Sequence, residues 1–249
     1  MKKLFLFALV LVFTSTAFGQ IAYLHYRSVP QDQEEKFVER ETKYWSKVAK
    51  SAIDKGQLAG WSLWRKVGVT KADAPNYVFV NQYASLDQLD NENIWSDNMD
   101  ALGDVKPEDV ETWSFTKLTF DYYVQFEDAV EGDYKYAIVN YAKPTSVGQF
   151  MQENKTLWKP FHENNIKNGN GMTAWGMASV IYPSGNQDRF SAFTYDGFNK
   201  LSDAMKYMSY NAPSDDNPFA DIMSKSKMNE IMPDGFNYRI IYERIMTVE

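Results

Sequence analysis

The residues best suited to chemistry in this chain are one carboxylic acid and two histidines. Glu41 lies in a segment whose apolar residues recur at helical spacing, and at ~100° per residue it falls in the middle of the apolar stripe. A carboxyl group that faces apolar surroundings loses hydration, which raises its pKa. Such a group can act as a general acid or base. It can equally be a structural polar group that bonds to a Tyr hydroxyl or a Trp indole.

The two histidines lie in different parts of the chain. His162 follows Phe161 at the edge of a second apolar stripe, beside Trp158, where it could be an axial haem ligand or a base. A histidine near the end of a helix is also favoured by the helix dipole alone. His25 lies on a predicted strand and can point to either face of it.

Aromatic and amide side chains accompany these groups at helical spacing. Tyr44 and Trp45 lie close to Glu41, and Asn154 takes the place of Glu41 in the second stripe, followed by Trp158. Together with His25, they are predicted to line a site for an apolar or aromatic ligand. Aromatic residues at such spacing are also typical of an ordinary core.

Composition excludes several other functions. The chain has 249 residues, a net charge of −7 and no Cys, which rules out disulfides, Cys-bound zinc, iron–sulfur clusters and thiol catalysis. Two histidines argue against a His-rich metal site, and we predict no bound metal. An acidic chain repels phosphate backbones, so nucleic acid is not an expected partner. Nucleotide-binding and serine-hydrolase motifs are absent from the sequence.

The N-terminus is typical of a secretory signal peptide. A basic start precedes a short apolar run, and a small-x-small sequence ends at Gly19. We predict a signal peptide over 1–19 and export to the periplasm or the medium, with an uncleaved anchor as the alternative. No later stretch is apolar enough to predict a membrane span. The sequence leaves the oligomeric state open, and a homo-oligomer is one alternative.

The chain contains two related halves. Trp45 and Trp158 are 113 residues apart, as are several neighbouring pairs, while Trp61 and Trp175 are 114 apart. Offsets that drift so little indicate a duplicated unit. We predict a first repeat over 20–126, a linker over 127–133 and a second repeat over 134–249.

Each half is predicted to fold in the order βαββαβ, the ferredoxin-like unit. The long helices are predicted over 32–55 and 146–167, ended by Gly56 and Gly169, and shorter helices over 86–98 and 198–208. The last strand of each half is apolar on both faces, so both faces must be buried. The sheet of the other half is the cover that this chain can supply, which predicts a pseudo-symmetric barrel with helices outside.

This element order and duplication resemble the dimeric α+β barrel superfamily in its fused form. That group includes antibiotic-biosynthesis monooxygenases, NIPSNAP-like proteins, haem-degrading enzymes and chlorite dismutases. The resemblance implies an α+β fold of two tandem ferredoxin-like repeats, with ligands held between a sheet and its helices. It matches no family motif and therefore transfers no catalytic residues.

Three functions follow as hypotheses. The first is a site between helix and sheet that binds a small apolar or aromatic molecule, with Glu41 as acid or base and no cofactor. The second is haem binding through His162. The third is an envelope protein that serves assembly or partner binding without catalysis.

Overall fold

The computed structural model describes residues 20–209 and 218–249, and eight strands in these ranges form one closed barrel. The predicted signal peptide lies outside the described residues. The strands are β1 (Ile21–Ser28), β2 (Gly60–Lys66), β3 (Tyr77–Tyr83), β4 (Lys117–Val130), β5 (Tyr136–Ala142), β6 (Met172–Tyr182), β7 (Ala192–Phe198) and β8 (Tyr238–Val248).

The strand order around the barrel confirms the predicted fold class. Neighbours follow the order β1-β3-β2-β8-β5-β7-β6-β4, and all pairs are antiparallel. Each half therefore contributes the order last–first–third–second, the order of a ferredoxin-like sheet. The two sheets do more than cover each other, because β2 pairs with β8 and β4 pairs with β6. These two seams close the barrel and leave no exposed strand edge.

Alternation along each strand divides the side chains into two layers. One layer points into the barrel, and its buried members include Leu24, Val78, Val124 and Phe193. The other layer faces the helices. Leu63 of this layer packs in one cluster with Phe37 of the first long helix, and Ile138 and Trp175 pack in another with Phe150 of the second long helix.

The long helix of each half covers the outer face of its sheet. In the first half α1 (Glu34–Arg40) continues through a π-helical turn (Glu41–Trp45) into α2 (Ser46–Asp54). In the second half, α4 (Val147–Glu153), a π-helical turn (Asn154–Trp158) and α5 (Lys159–Lys167) repeat this arrangement. The two π turns lie at the same point of both helices, which supports the duplication.

Glycines end both long helices as predicted. Gly56 has φ +70° and Gly169 has φ +71°, and the two residues are 113 apart. This left-handed conformation carries a steric penalty for residues with a Cβ, so glycine is the usual residue after a helix.

The remaining elements differ more from the predictions. A helix predicted over 86–98 is instead two short 3₁₀ turns, Leu86–Asp90 and Ser96–Leu102. Strand β4 continues to Val130 and so takes up part of the predicted linker. The other helices are α3 (Pro107–Val110), α6 (Leu201–Met208), α7 (Pro218–Lys225) and α8 (Met228–Ile231). Within 20–209 and 218–249, none of the helices has the length and apolar character that crossing a bilayer requires.

Candidate functional site

Glu41 is buried between the first long helix and its sheet. Phe37 packs against Tyr77 near one end of the helix, and Ala52 lies in a cluster with Tyr83 near the other end. Glu41 lies between these two contacts, at the start of the π turn, and only 5% of its surface is exposed. The helix therefore holds its carboxyl near Arg27, at the end of β1.

Burial dominates the acidity of this carboxyl. Loss of hydration raises the pKa of Glu41 to about 7, although a hydrogen bond from Thr112 and the charge of Arg27 act in the opposite direction. Thr112 Oγ1 donates to Glu41 Oε1 over 2.6 Å. A carboxyl with a pKa near 7 can both accept and donate a proton at neutral pH.

Three polar side chains on the same outer face of β1 and β3 keep a buried atom without a hydrogen-bond partner. These atoms are His25 Nε2, Arg27 Nε and Asn81 Oδ1. His25 and Arg27 lie two residues apart on β1, and the position opposite Tyr23 on β3 is Asn81. Buried polar atoms are nearly always hydrogen-bonded in proteins, so these three atoms are expected to be satisfied by bound water or by a ligand.

Arg27 links these atoms to Glu41. Its Nη1 donates to Thr116 Oγ1 over 2.7 Å, and Thr116 in turn donates to the carbonyl oxygen of Thr112. The guanidinium also lies over the ring of Phe79, 5.9 Å from its centroid. Burial lowers the pKa of His25 to about 4, and the charge of Arg27 adds to this effect, so the imidazole is neutral at pH 7.

The second half also has polar side chains at the equivalent sheet positions, but these side chains form hydrogen bonds with one another. Asn140 corresponds to His25, and Asp196 corresponds to Asn81. With these residues matched, the pairing of β5 with β7 has the same register as the pairing of β1 with β3. Asn140 Nδ2 donates to Asp196 Oδ2 over 2.8 Å, and Arg239 Nε donates to Asn140 Oδ1 over 2.8 Å. Of these two clusters, only the first therefore has buried polar atoms without a hydrogen-bond partner.

Tyr44 and Trp45 do not join Glu41 in a ligand site. Trp45 is buried in an apolar cluster with Leu102 and Val110, and its Nε1 donates to the carbonyl oxygen of Val110 over 2.9 Å. Tyr44 is half-buried and lies beside a lysine, Lys43. The π turn has a longer hydrogen-bonded repeat than an ideal α-helix, so the ideal spacing does not hold from Glu41 to Trp45.

Asn154 and Trp158 also use their polar atoms within the protein. Asn154 is buried, and its Nδ2 donates to the carbonyl oxygen of Phe150, one turn earlier, over 2.9 Å. Trp158 is half-buried, and its Nε1 lies 3.4 Å from Glu153 Oε1. The structure does not bring these residues to the polar cluster of the first half.

His162 is more deeply buried than its place on the ideal helix indicates. It is 5% exposed and lies beside two indoles: the ring of Trp175 is 5.3 Å away and nearly parallel, and that of Trp158 is 6.3 Å away. Burial lowers the pKa of His162 to about 4, and its Nδ1 has no hydrogen-bond partner. A neutral imidazole can bind a metal through its unprotonated nitrogen, but the Trp175 indole lies against the His162 ring, so the residues present do not fit a haem there.

A cavity that the sequence analysis missed lies inside the barrel. Its volume is about 430 Å³, and side chains from both halves line it, among them Leu24, Trp64, Tyr141, Tyr195 and Tyr242. Neither Glu41 nor His162 contributes to its lining. A second hollow, of about 770 Å³, lies beside the loop over 68–74.

Comparisons with known proteins show the fold. No protein-family model matches the sequence, and the curated proteins give no significant match. Similar solved structures include an anthrone oxidase-like protein, 13% identical, with a TM-score of 0.54 and 94% of each chain covered. A proposed monooxygenase from Fusobacterium nucleatum is 12% identical, with a TM-score of 0.51 over 92% of this chain and 94% of that one.

A chlorite dismutase from Candidatus Nitrospira defluvii, solved in complex with cyanide, is also similar. It is 10% identical, with a TM-score of 0.51 over 93% of this chain and 92% of that one. Together with the closed eight-stranded barrel, these likenesses show an α+β barrel fold built from two ferredoxin-like halves. At such low identity they show the fold alone.

Proposed function

We propose that this protein binds a small hydroxy-aromatic molecule between the first long helix and its sheet, with Glu41 as the proton acceptor. The observation that carries the proposal is the contrast between the two halves. Equivalent polar positions are fully bonded around Asn140, whereas His25, Arg27 and Asn81 each keep an unpaired buried atom. The similar anthrone oxidase-like and monooxygenase structures support small-molecule binding in this fold.

The chemistry of the cluster fits an aromatic alcohol. The hydroxyl proton of the ligand would pass to a carboxylate oxygen of Glu41, which breaks the ligand O–H bond and forms a carboxyl O–H bond. The aryloxide that remains would accept a hydrogen bond from Arg27 Nε, and the positive charge of the guanidinium would stabilise it. The rings of Phe37 and Phe79 supply apolar surface on the same side of the sheet. This site needs no cofactor to bind the ligand or move the proton.

Calorimetric titration with 2-naphthol tests the proposal. Wild-type protein is expected to bind 2-naphthol, and Glu41→Gln and Arg27→Met are each expected to weaken binding by about tenfold or more, because each loses a hydrogen bond to a charged group. 2-Methoxynaphthalene, which has no hydroxyl proton, is expected to bind the wild-type protein as weakly as 2-naphthol binds the Glu41→Gln variant.

Glu39→Gln is the matched control, because its carboxylate lies on the same helix and is 61% exposed. It is expected to bind 2-naphthol as the wild type does. Circular dichroism establishes that each variant is folded. Absence of binding to the wild type, or equal affinity of wild type and Glu41→Gln, would overturn the proposal.

A further inference from the structure

The cavity inside the barrel arises because the two halves fill their shares of the interior differently. In the second half Gly176 pairs with Tyr195, and in the first half Ser62 pairs with Val80 at the equivalent positions. A Cβ on Gly176 would lie 2.4 Å from the Tyr195 ring, so the glycine lets this ring lie against β6. Val80 is much smaller than tyrosine, and the first half therefore leaves its share of the barrel open.

Three aromatic rings stack in a row along this cavity. The ring of Trp64 lies 5.6 Å from that of Tyr134 at an angle of 28°, and Tyr134 lies 5.7 Å from Tyr195 at 30°. These three side chains come from both halves and all line the cavity. Rings so close to parallel favour a planar aromatic ligand stacked against them.

A row of three buried tyrosines gives the cavity a hydrogen-bond donor. Tyr141 donates to Tyr242 over 3.1 Å, and since a hydroxyl has one proton, Tyr26 must donate to Tyr141 over 3.0 Å. The proton of Tyr242 then remains, and among the described residues no protein group accepts it. All three rings line the cavity. A ligand that satisfies this row must bring an acceptor oxygen.

We propose that the barrel interior is a second binding site, which takes a planar aromatic ketone or quinone of two or three fused rings. Its rings pack against the row of Trp64, Tyr134 and Tyr195, and its carbonyl oxygen accepts the hydrogen bond of Tyr242. The cavity volume of about 430 Å³ lies in the range of small-molecule sites. This site is independent of the one proposed under the first long helix, because Glu41 does not line it.

Titration with 9-fluorenone, a planar three-ring ketone with no proton to donate, tests the site. Tyr242→Phe keeps the shape of the cavity and removes the donor, so it is expected to weaken fluorenone binding by about five- to tenfold. Fluorene, the parent hydrocarbon, is expected to bind wild type and Tyr242→Phe equally. Tyr238→Phe is the matched control, because Tyr238 is an exposed tyrosine of the same strand.

A second variant fills the cavity by copying the other half. The double substitution Ser62→Gly and Val80→Tyr reproduces the pair formed by Gly176 and Tyr195, and it is expected to abolish fluorenone binding while the circular dichroism spectrum is unchanged. If this variant does not fold, the Tyr242→Phe result decides. Fluorenone that does not bind the wild type, or that binds Tyr242→Phe or the folded double variant as well as the wild type, would overturn the proposal.

Glu41→Gln separates the two sites. This variant is expected to bind fluorenone with wild-type affinity, although its binding of 2-naphthol is weakened. Loss of fluorenone binding in Glu41→Gln would place both ligands under the helix and overturn the barrel site. Failure of 2-naphthol binding would overturn only the site around Glu41.

Discussion

Glu41 and Asn154 begin the same π-helical turn in the two halves, but their side chains bond to different parts of the chain. Glu41 accepts a hydrogen bond from Thr112, 71 residues later, whereas Asn154 donates to the carbonyl oxygen of Phe150 in its own helix. A carboxyl group can exchange a proton and an amide cannot. The two halves therefore share the position, and only the first half has a group there that can exchange a proton.

The raised pKa of Glu41 predicts a specific dependence of stability on pH. A carboxyl with a pKa of 4.5 when unfolded and about 7 when folded binds more protons in the folded state between these values, so its contribution to the free energy of unfolding falls as pH rises through this window. Glu41→Gln removes this effect. Relative to the wild type, the variant is expected to gain about 2–3 kcal/mol between pH 5 and pH 8.

Urea denaturation of both proteins at pH 5 and pH 8 measures this gain. The exposed carboxylate of Glu39 provides the comparison, and Glu39→Gln is expected to change stability equally at both pH values. A Glu41→Gln effect of the same size at both pH values would show that the carboxyl titrates normally.

The cluster around Asn140 in the second half is predicted to be structural. Burial raises the pKa of Asp196 to about 6, and Asn140 bonds to both Asp196 and Arg239. Asn140→Leu leaves these two groups without that partner and is expected to lower the free energy of unfolding by about 3 kcal/mol. Asn170→Leu, at an exposed amide, is expected to change it by less than about 0.5 kcal/mol. Equal effects in denaturant titrations would contradict this assignment.

The close contact between Gly176 and Tyr195 predicts opposite outcomes at two glycines. A Cβ at Gly176 meets the Tyr195 ring, so Gly176→Ala is expected to cost about 1–3 kcal/mol of stability. Gly148 in α4 has open space around its Cβ position, and Gly148→Ala is expected to stabilise the protein by about 0.5 kcal/mol. Thermal melts distinguish the two, and a neutral Gly176→Ala would contradict the packing described.

The stacking of His162 against Trp175 predicts that haem does not bind through this imidazole. Added haemin is expected to give the same Soret spectrum with wild type and with His162→Phe, because His162 is buried with the indole of Trp175 nearly parallel to its ring at 5.3 Å. A Soret shift that is present in the wild type and lost in His162→Phe would show instead that Trp158 or Trp175 moves aside for the porphyrin.

Sequence periodicity predicted the fold well, because repeated features mark each half. The equal spacing of Trp45 and Trp158, and of Gly56 and Gly169, follows from helices of equal length that begin and end alike. The shorter element after β3 was predicted as a helix but forms 3₁₀ turns. Its segment is rich in Asn and Asp, for example Asn91, and these side chains compete with the helical backbone for hydrogen bonds.

The site was predicted only in part, since it depends on contacts between distant segments. The apolar stripe placed Glu41 towards the sheet, but nothing in the spacing indicated that Arg27 and Asn81 would lie on the same face of paired strands. The barrel cavity depends on Val80 and Tyr195, which differ in size at equivalent positions of opposite halves. The register of the paired strands decides that such residues line the same cavity, and the spacing along the sequence does not show this register.

The most direct test of the account is the titration of the Glu41 carboxyl carbon by ¹³C NMR, with and without 2-naphthol. The resonance is assigned by its loss in Glu41→Gln. We predict a pKa near 7 in the protein alone and a higher value with 2-naphthol, because the carboxyl holds the proton that the ligand hydroxyl has given up and lies beside the aryloxide. A pKa near the ordinary 4.5, unchanged by 2-naphthol, would contradict it.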